Sequence, residues 1–166
     1  MALTLSSDSF KDGDMLKQDH VLSADYGFGC AGGNKSPHLK WSGAPSGTKS
    51  FAVTCFDPDA PTGSGFWHWV VVNIPASVSE LPLDAGNPAS GLLPDGALQV
   101  RTDFGAPGYG GACPPEGDVP HRYLFTVHAV GQDSLPVTAD TSAAVVSFQL
   151  HFNALEKATL LALYKR

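Results

Sequence analysis

Lys49-Ser-Phe-Ala-Val-Thr-Cys-Phe56, Asp57-Pro-Asp-Ala-Pro61 and Trp67-His-Trp-Val-Val-Val-Asn-Ile74 follow one another in the middle of the chain and decide its fold. The first stretch is rich in β-branched and aromatic residues and reads as a strand. The third is more continuously apolar, as expected of a strand buried on both faces. Between them, two prolines in five residues fix φ and remove two backbone donors, so the connection is stiff. Further along, His121-Arg-Tyr-Leu-Phe-Thr-Val-His-Ala-Val130 reads as a third long strand that Gly131 ends. Shorter strands are expected at His20-Val-Leu22, Leu39-Lys-Trp41 and Ala97-Leu-Gln-Val-Arg101. Turn signals separate them at Ala44–Gly47, Thr62–Gly65 and Gly105–Gly117. Strands spaced by turns, with no helix between them, predict a mostly β protein of the sandwich type rather than an alternating α/β sheet.

The C-terminal stretch differs. Thr141 or Ser142 can cap a helix over Ala143–Asn153. Propensity alone extends that helix through Leu155–Tyr164, although a short apolar run is equally compatible with a strand.

Composition narrows the function. The chain has 166 residues, and no linker or repeat divides it, so residues 1–166 are expected to form one domain. Hydrophobic residues make up 43%, enough for a sizeable core, while 18 Gly and 13 Pro favour many turns over a helical bundle. Lys+Arg number 10 against 16 Asp+Glu, a formal net charge of -6, and no stretch clusters Lys or Arg. Nucleic-acid binding and attachment to anionic lipid surfaces both need such clusters, so neither is expected. No apolar run approaches the ~20 residues of a membrane span, so the protein is not expected to be membrane-embedded. Met1–Phe10 lacks the basic and apolar parts of a signal peptide. Cys30, Cys55 and Cys113 form neither a CxxC pair nor an even disulfide set, which reads as a protein of the reducing cytoplasm.

Three groups of side chains carry candidate chemistry. Asp57 sits at a strand end, held by the Pro-rich loop; the competing reading is an ordinary turn with solvated aspartates. His68 opens the next strand, and strict alternation places it on the face of Val70 and Val72. If the two strands are neighbours, Asp57 and His68 meet, and the carboxylate fixes the tautomer and favours the imidazolium. His121 and Tyr123 share a face while Arg122 points away. Imidazole and phenol together suit phosphate or carboxylate oxygens. The glycines of Gly105–Gly110 match neither a dinucleotide nor a Walker spacing, and the histidines show no zinc spacing. No cofactor is expected.

Asp57-Pro-Asp-Ala-Pro61, His68-Trp69, Pro114-Pro115 and His121-Arg-Tyr123 together resemble the phosphatidylethanolamine-binding protein family, also called Raf kinase inhibitor proteins. Ser36-Pro-His-Leu-Lys-Trp41 and Arg101-Thr-Asp-Phe-Gly105 are similar to its bacterial and archaeal branch. The resemblance spans roughly Leu3 to Tyr164. It implies an antiparallel β-sandwich with a few short helices, one near the C-terminus and followed by a strand. It also implies a small anion pocket made of Asp57, Pro61, His68, Pro114, Pro115, His121 and Tyr123, with Phe66 and Trp67 near its rim. In relatives that pocket holds phosphate, acetate or a phospholipid head group. Cys113 departs from the glycine that many relatives carry before the proline pair. Bacterial relatives often form homodimers, for which an apolar surface around Trp41, Trp67 and Trp69 would serve unless these tryptophans belong to the core.

The expectation is therefore a non-catalytic binding protein for a small anion, with ligand sensing or regulation of a partner such as a kinase as its downstream role. The alternatives are a hydrolase using Asp57 and His68 as an acid–base pair, and a metal site of Asp57, His68 and His121. The first lacks a nucleophile other than Cys113, and the second lacks a suitable fourth ligand.

Overall fold

The three long stretches form strands, as predicted, in a computed structural model, which describes residues 2–166. The strands are β1 (Thr4–Ser6), β2 (Asp14–Met15), β3 (Leu39–Ser42), β4 (Ser50–Asp57), β5 (Phe66–Pro75), β6 (Glu80–Leu81), β7 (Leu98–Gln99) and β8 (His121–Val130). Helix α1 (Ala143–Asn153) and β9 (Ala154–Tyr164) complete the chain. A six-stranded sheet has the order β2-β9-β8-β4-β5-β7, and a three-stranded sheet the order β1-β3-β6. The pairings are antiparallel apart from the two-residue contact of β2 with β9.

The large sheet is covered on both sides, which explains why β4 and β5 read as continuous apolar runs. On one side, Phe51, Val53 and Cys55 of β4 and Trp69 and Val71 of β5 pack against Leu39 and Trp41 of the small sheet. On the other, Ala52, Val70 and Val72 meet Val146 and Leu150 of α1. Helix α1 starts where its cap predicts: the Val145 N–H donates to Ser142 Oγ at 3.2 Å. It buries Ala143, Val146 and Leu150, one stripe of its surface.

Directly after α1 the chain becomes β9, as the family resemblance implies and against the helical propensity of Leu155–Tyr164. Cross-strand pairing with β8 along nearly its whole length decides the matter. The signal was present: Leu160 and Ala162 alternate into the core, with Ala158 and Tyr164 packed beside them.

Other expectations are corrected. His20-Val-Leu22 is not a strand; Gln18–His20 form a single 3-10 turn, and Val21 makes one isolated bridge with Ala112. Trp41 and Trp69 are core residues, and Trp67 is half-buried against Phe56, so the tryptophans form no apolar surface. Cys30 and Cys113 are disulfide-bonded across 83 residues, leaving Cys55 free and buried. The Val21–Ala112 bridge brings these distant cysteines together, a proximity that spacing cannot reveal. Inferring a reducing compartment from the cysteine count therefore loses its premise.

Among the described residues, no helix is long and apolar enough to cross a membrane.

Candidate functional site

Asp57 ends β4, and the loop after it folds back on its carboxylate. The Asp59 N–H donates to Asp57 Oδ1 at 2.8 Å, an Asx turn that fixes the side chain. Arg122 anchors the same loop from β8. Its backbone N–H and Nε both donate to Asp59 Oδ2, at 2.9 and 3.0 Å, and Nη2 donates to Oδ1 at 2.9 Å. Arg122 thus points away from His121 and Tyr123, as predicted, and makes a bidentate clamp. The Arg122 bonds hold the Asp59 carboxyl below its ordinary range.

The partner of Asp57 is His121, not His68. Nδ1–H of His121 donates to Asp57 Oδ2 at 2.8 Å, with both side chains buried (2% and 3% exposed). Nε2–H donates to Asp118 Oδ2 at 2.9 Å. Ionised carboxylates only accept, so two such partners favour protons on both ring nitrogens and thus the imidazolium form of His121. Burial alone depresses its pKa, but the hydrogen bonds and charges of Asp57 and Asp118 more than reverse that, leaving it above the ordinary value.

His68 reaches the site through an irregularity that alternation misses. Cys55 pairs with Trp69 and Phe56 with Trp67, so His68 is the extra residue of a β-bulge. The bulge reverses the face. Val70 and Val72 lie under α1, while the His68 ring packs edge-on against Tyr123, with centroids 5.2 Å apart. His68 Nδ1 donates to the Gly110 carbonyl at 2.8 Å, and among the described residues Nε2 has no hydrogen-bond partner. Burial pulls its pKa down, offset in part by the Gly110 carbonyl and Asp57. A neutral His68 therefore presents Nε2 as an acceptor. Gly110 is required here, because a Cβ on it would overlap the Phe104 ring. For Tyr123, burial and then the Asp57 charge push the phenol pKa well up, so it stays a neutral donor.

These groups line one cavity of about 400 Å³. All seven residues expected in the pocket border it: Asp57, Pro61, His68, Pro114, Pro115, His121 and Tyr123. Phe66 borders it as well, and Trp67 does not. Sequence reasoning missed Phe28 and Phe104. Phe104 lies 4.8 Å from Phe66 and 5.4 Å from His68, and Phe28 stacks on it at 6.2 Å. The Asp103 carboxylate next door accepts from the Trp67 N–H, tying that loop to β5. Arg166 was missed too; its Nε donates to the Pro114 carbonyl at 2.7 Å and Nη2 to the Phe28 carbonyl at 3.4 Å, joining two walls that the disulfide also joins. The lining contains no Lys or Arg side chain.

The cleft lies at the ends of β4, β5 and β8 in a double-layered β fold, and that fold defines the class of protein. The chain belongs to the phosphatidylethanolamine-binding protein family, whose model matches residues 6–165. It is 53% identical to the Escherichia coli UPF0098 protein YbcL over 164 residues, 99% of this chain and 88% of that protein. It is 52% identical to YbhB of the same organism, covering 98% and 99% of the two chains. The crystal structure of E. coli YbcL, described as a new member of the mammalian PEBP family, superposes with a TM-score of 0.96 at 52% identity, covering 100% and 99%. A putative homologue from Chlamydia trachomatis superposes at 0.80 with 26% identity, covering 99% and 98%.

Proposed function

We propose that this cavity binds a small anionic group — phosphate-like, carboxylate or a phospholipid head group — without converting it chemically. The observation that carries the reading is the His121 imidazole, fixed by buried Asp57 beside the Tyr123 phenol and His68 in one cavity. The Phe28, Phe66 and Phe104 rings supply an apolar wall for whatever carbon body is attached to the anion. Hydrolysis is disfavoured. Cys113 is held in a disulfide, the Thr62 hydroxyl donates to the Gly65 carbonyl, and Asp57 hydrogen-bonds His121 rather than His68. The downstream role we assign is regulation of a protein partner, a kinase being the class the family resemblance suggests. The assembly we assign is a homodimer, the commonest closed symmetry. Its apolar surface would be that of Val145, Phe148 and Phe152 on α1 rather than the tryptophans. Light scattering should give twice the 17.3 kDa of one chain.

Titration calorimetry with inorganic phosphate and phenyl phosphate tests the pocket. Affinity should rise as pH falls below the ordinary imidazole value of about 6.5, because His68 then gains a second N–H donor. His121→Ala should abolish binding, and His151→Ala, exposed on α1, should leave it intact. Equal effects of the two substitutions would move the site elsewhere.

A further inference from the structure

The inference rests on the anion-binding reading and concerns the protonation state in which the anion is taken. Both ring nitrogens of His121 are engaged within the protein, Nδ1 with Asp57 at 2.8 Å and Nε2 with Asp118 at 2.9 Å. Asp118 does not border the cavity, and neither does any Lys or Arg. The imidazole nitrogen left for a ligand is therefore Nε2 of His68. Two observations make it available. It has no hydrogen-bond partner, yet the one fully buried side-chain nitrogen or oxygen without a partner among the described residues is Trp41 Nε1. His68 Nε2 thus opens onto free space, and the space its ring borders is the cavity.

The Gly110 carbonyl decides what that nitrogen offers. A carbonyl only accepts, so Nδ1 carries the proton, and a neutral ring presents Nε2 as a lone pair. The titratable groups around His68 are Asp57 at the end of β4, Tyr123 and His121 on β8, and Asp103 beside Phe104. The two carboxylates favour the charged ring, but the ring is 5% exposed and burial outweighs them, so His68 is neutral at neutral pH. A fully ionised oxyanion would set an oxygen lone pair against Nε2 and leave this buried acceptor unpaired. An oxyanion that keeps one O–H donates it there instead. Its other oxygens then face the neutral Tyr123 phenol, whose ring stands edge-on to His68 with centroids 5.2 Å apart.

We propose that at neutral pH this pocket selects oxyanions that keep one proton, His68 Nε2 accepting the ligand O–H. A hydrogen-phosphate group qualifies and a sulfate group does not. His68 is thus the specificity-determining residue. Once acid gives His68 its second N–H, a bare oxyanion fits as well, and the selectivity fades.

Inorganic phosphate and inorganic sulfate test this on the full chain, since both are tetrahedral oxyanions and only phosphate keeps a proton near neutrality. Calorimetry at about pH 7 should find phosphate bound more tightly by about tenfold, the scale of one buried acceptor left unpaired. At about pH 5, below the ordinary imidazole value, sulfate should gain and the gap should close. His68→Gln has an amide that can turn either its oxygen or its N–H to the ligand, so it should bind sulfate at neutral pH more tightly than the wild type does. Such a gain cannot come from damage to the fold. Nitrogen NMR of the phosphate complex at neutral pH should find His68 Nε2 without a proton. Equal affinities for the two ions at neutral pH, a protonated Nε2 in that complex, or a selectivity that His68→Gln leaves intact would each overturn this inference and leave the anion reading standing. Binding of neither ion at either pH would overturn the anion reading and this inference with it.

Discussion

Reducing the Cys30–Cys113 bridge should cost a large part of the stability of the protein, and the size follows from its position. The bridge closes a loop across 83 residues, half the chain. The chain-entropy relation for a loop of that length gives about 4.5 kcal/mol at 25 °C, as an upper estimate because the Arg166 bonds to Pro114 and Phe28 hold the same walls together without it. With a guanidinium m-value of about 4 kcal/mol/M, the unfolding midpoint should drop by about 1 M. Fluorescence of Trp41 and Trp69, both in the core, reports the transition for the oxidised protein, the protein in dithiothreitol and a Cys30→Ser/Cys113→Ser variant. Reduced protein and variant should agree. Cys55 does not interfere, since it is buried and its thiol pKa is pushed up first by burial and then by Asp57. Oxidised and reduced chains that unfold within about 1 kcal/mol of each other would refute the reasoning, as the entropic term alone exceeds that. So would three reactive thiols in the denatured, unreduced chain.

Three other outcomes are expected. His121→Ala leaves the buried Asp57 carboxylate without its partner and should destabilise the fold by about 3–5 kcal/mol, read from denaturant unfolding, whereas a loss under about 1 kcal/mol would mean that Asp57 is not desolvated. His128 is pushed down to about 4, first by burial and then by Lys157. With its folded pKa below the unfolded value of about 6.5, its contribution to stability is intact above that pH and declines as pH falls toward 4. His128→Gln should flatten this acid limb in thermal melts, while the raised His121 pKa acts oppositely, its contribution present below about 6.5 and lost as pH rises through the folded value. Ser142→Ala removes the cap of α1 and should cost about 1 kcal/mol, and an unchanged melting temperature would show that packing of Val146 and Leu150 alone holds the helix.

The three long strands were legible because burial on both faces leaves an unmistakable apolar composition, and α1 because its cap and its apolar stripe agree. The seven pocket residues were legible only in combination; each motif alone has an ordinary structural explanation. What stayed hidden depends on distance in sequence or on broken periodicity. His68 was assigned to the wrong face because a period of two assumes no inserted residue, and a bulge leaves no mark in composition. Its expected partner, Asp57, then went to His121, which is 64 residues further along the chain. Phe28 and Arg166 carry no local signal: Phe28 meets the site through the loop that the Cys30–Cys113 bridge and the Val21–Ala112 contact draw in, and Arg166 through the pairing of β9 with β8.

The bulge at His68 also sets a conflict between regularity and use. A chain lacking that one residue could run β4 against β5 in one register from Val53 to Asp57, with one fewer imidazole to desolvate. It would be the tidier sheet, and its cavity would have no second histidine. Sequences optimised for stability alone should drift toward that shortened strand, so the extra residue marks where folding and binding pull this chain in different directions.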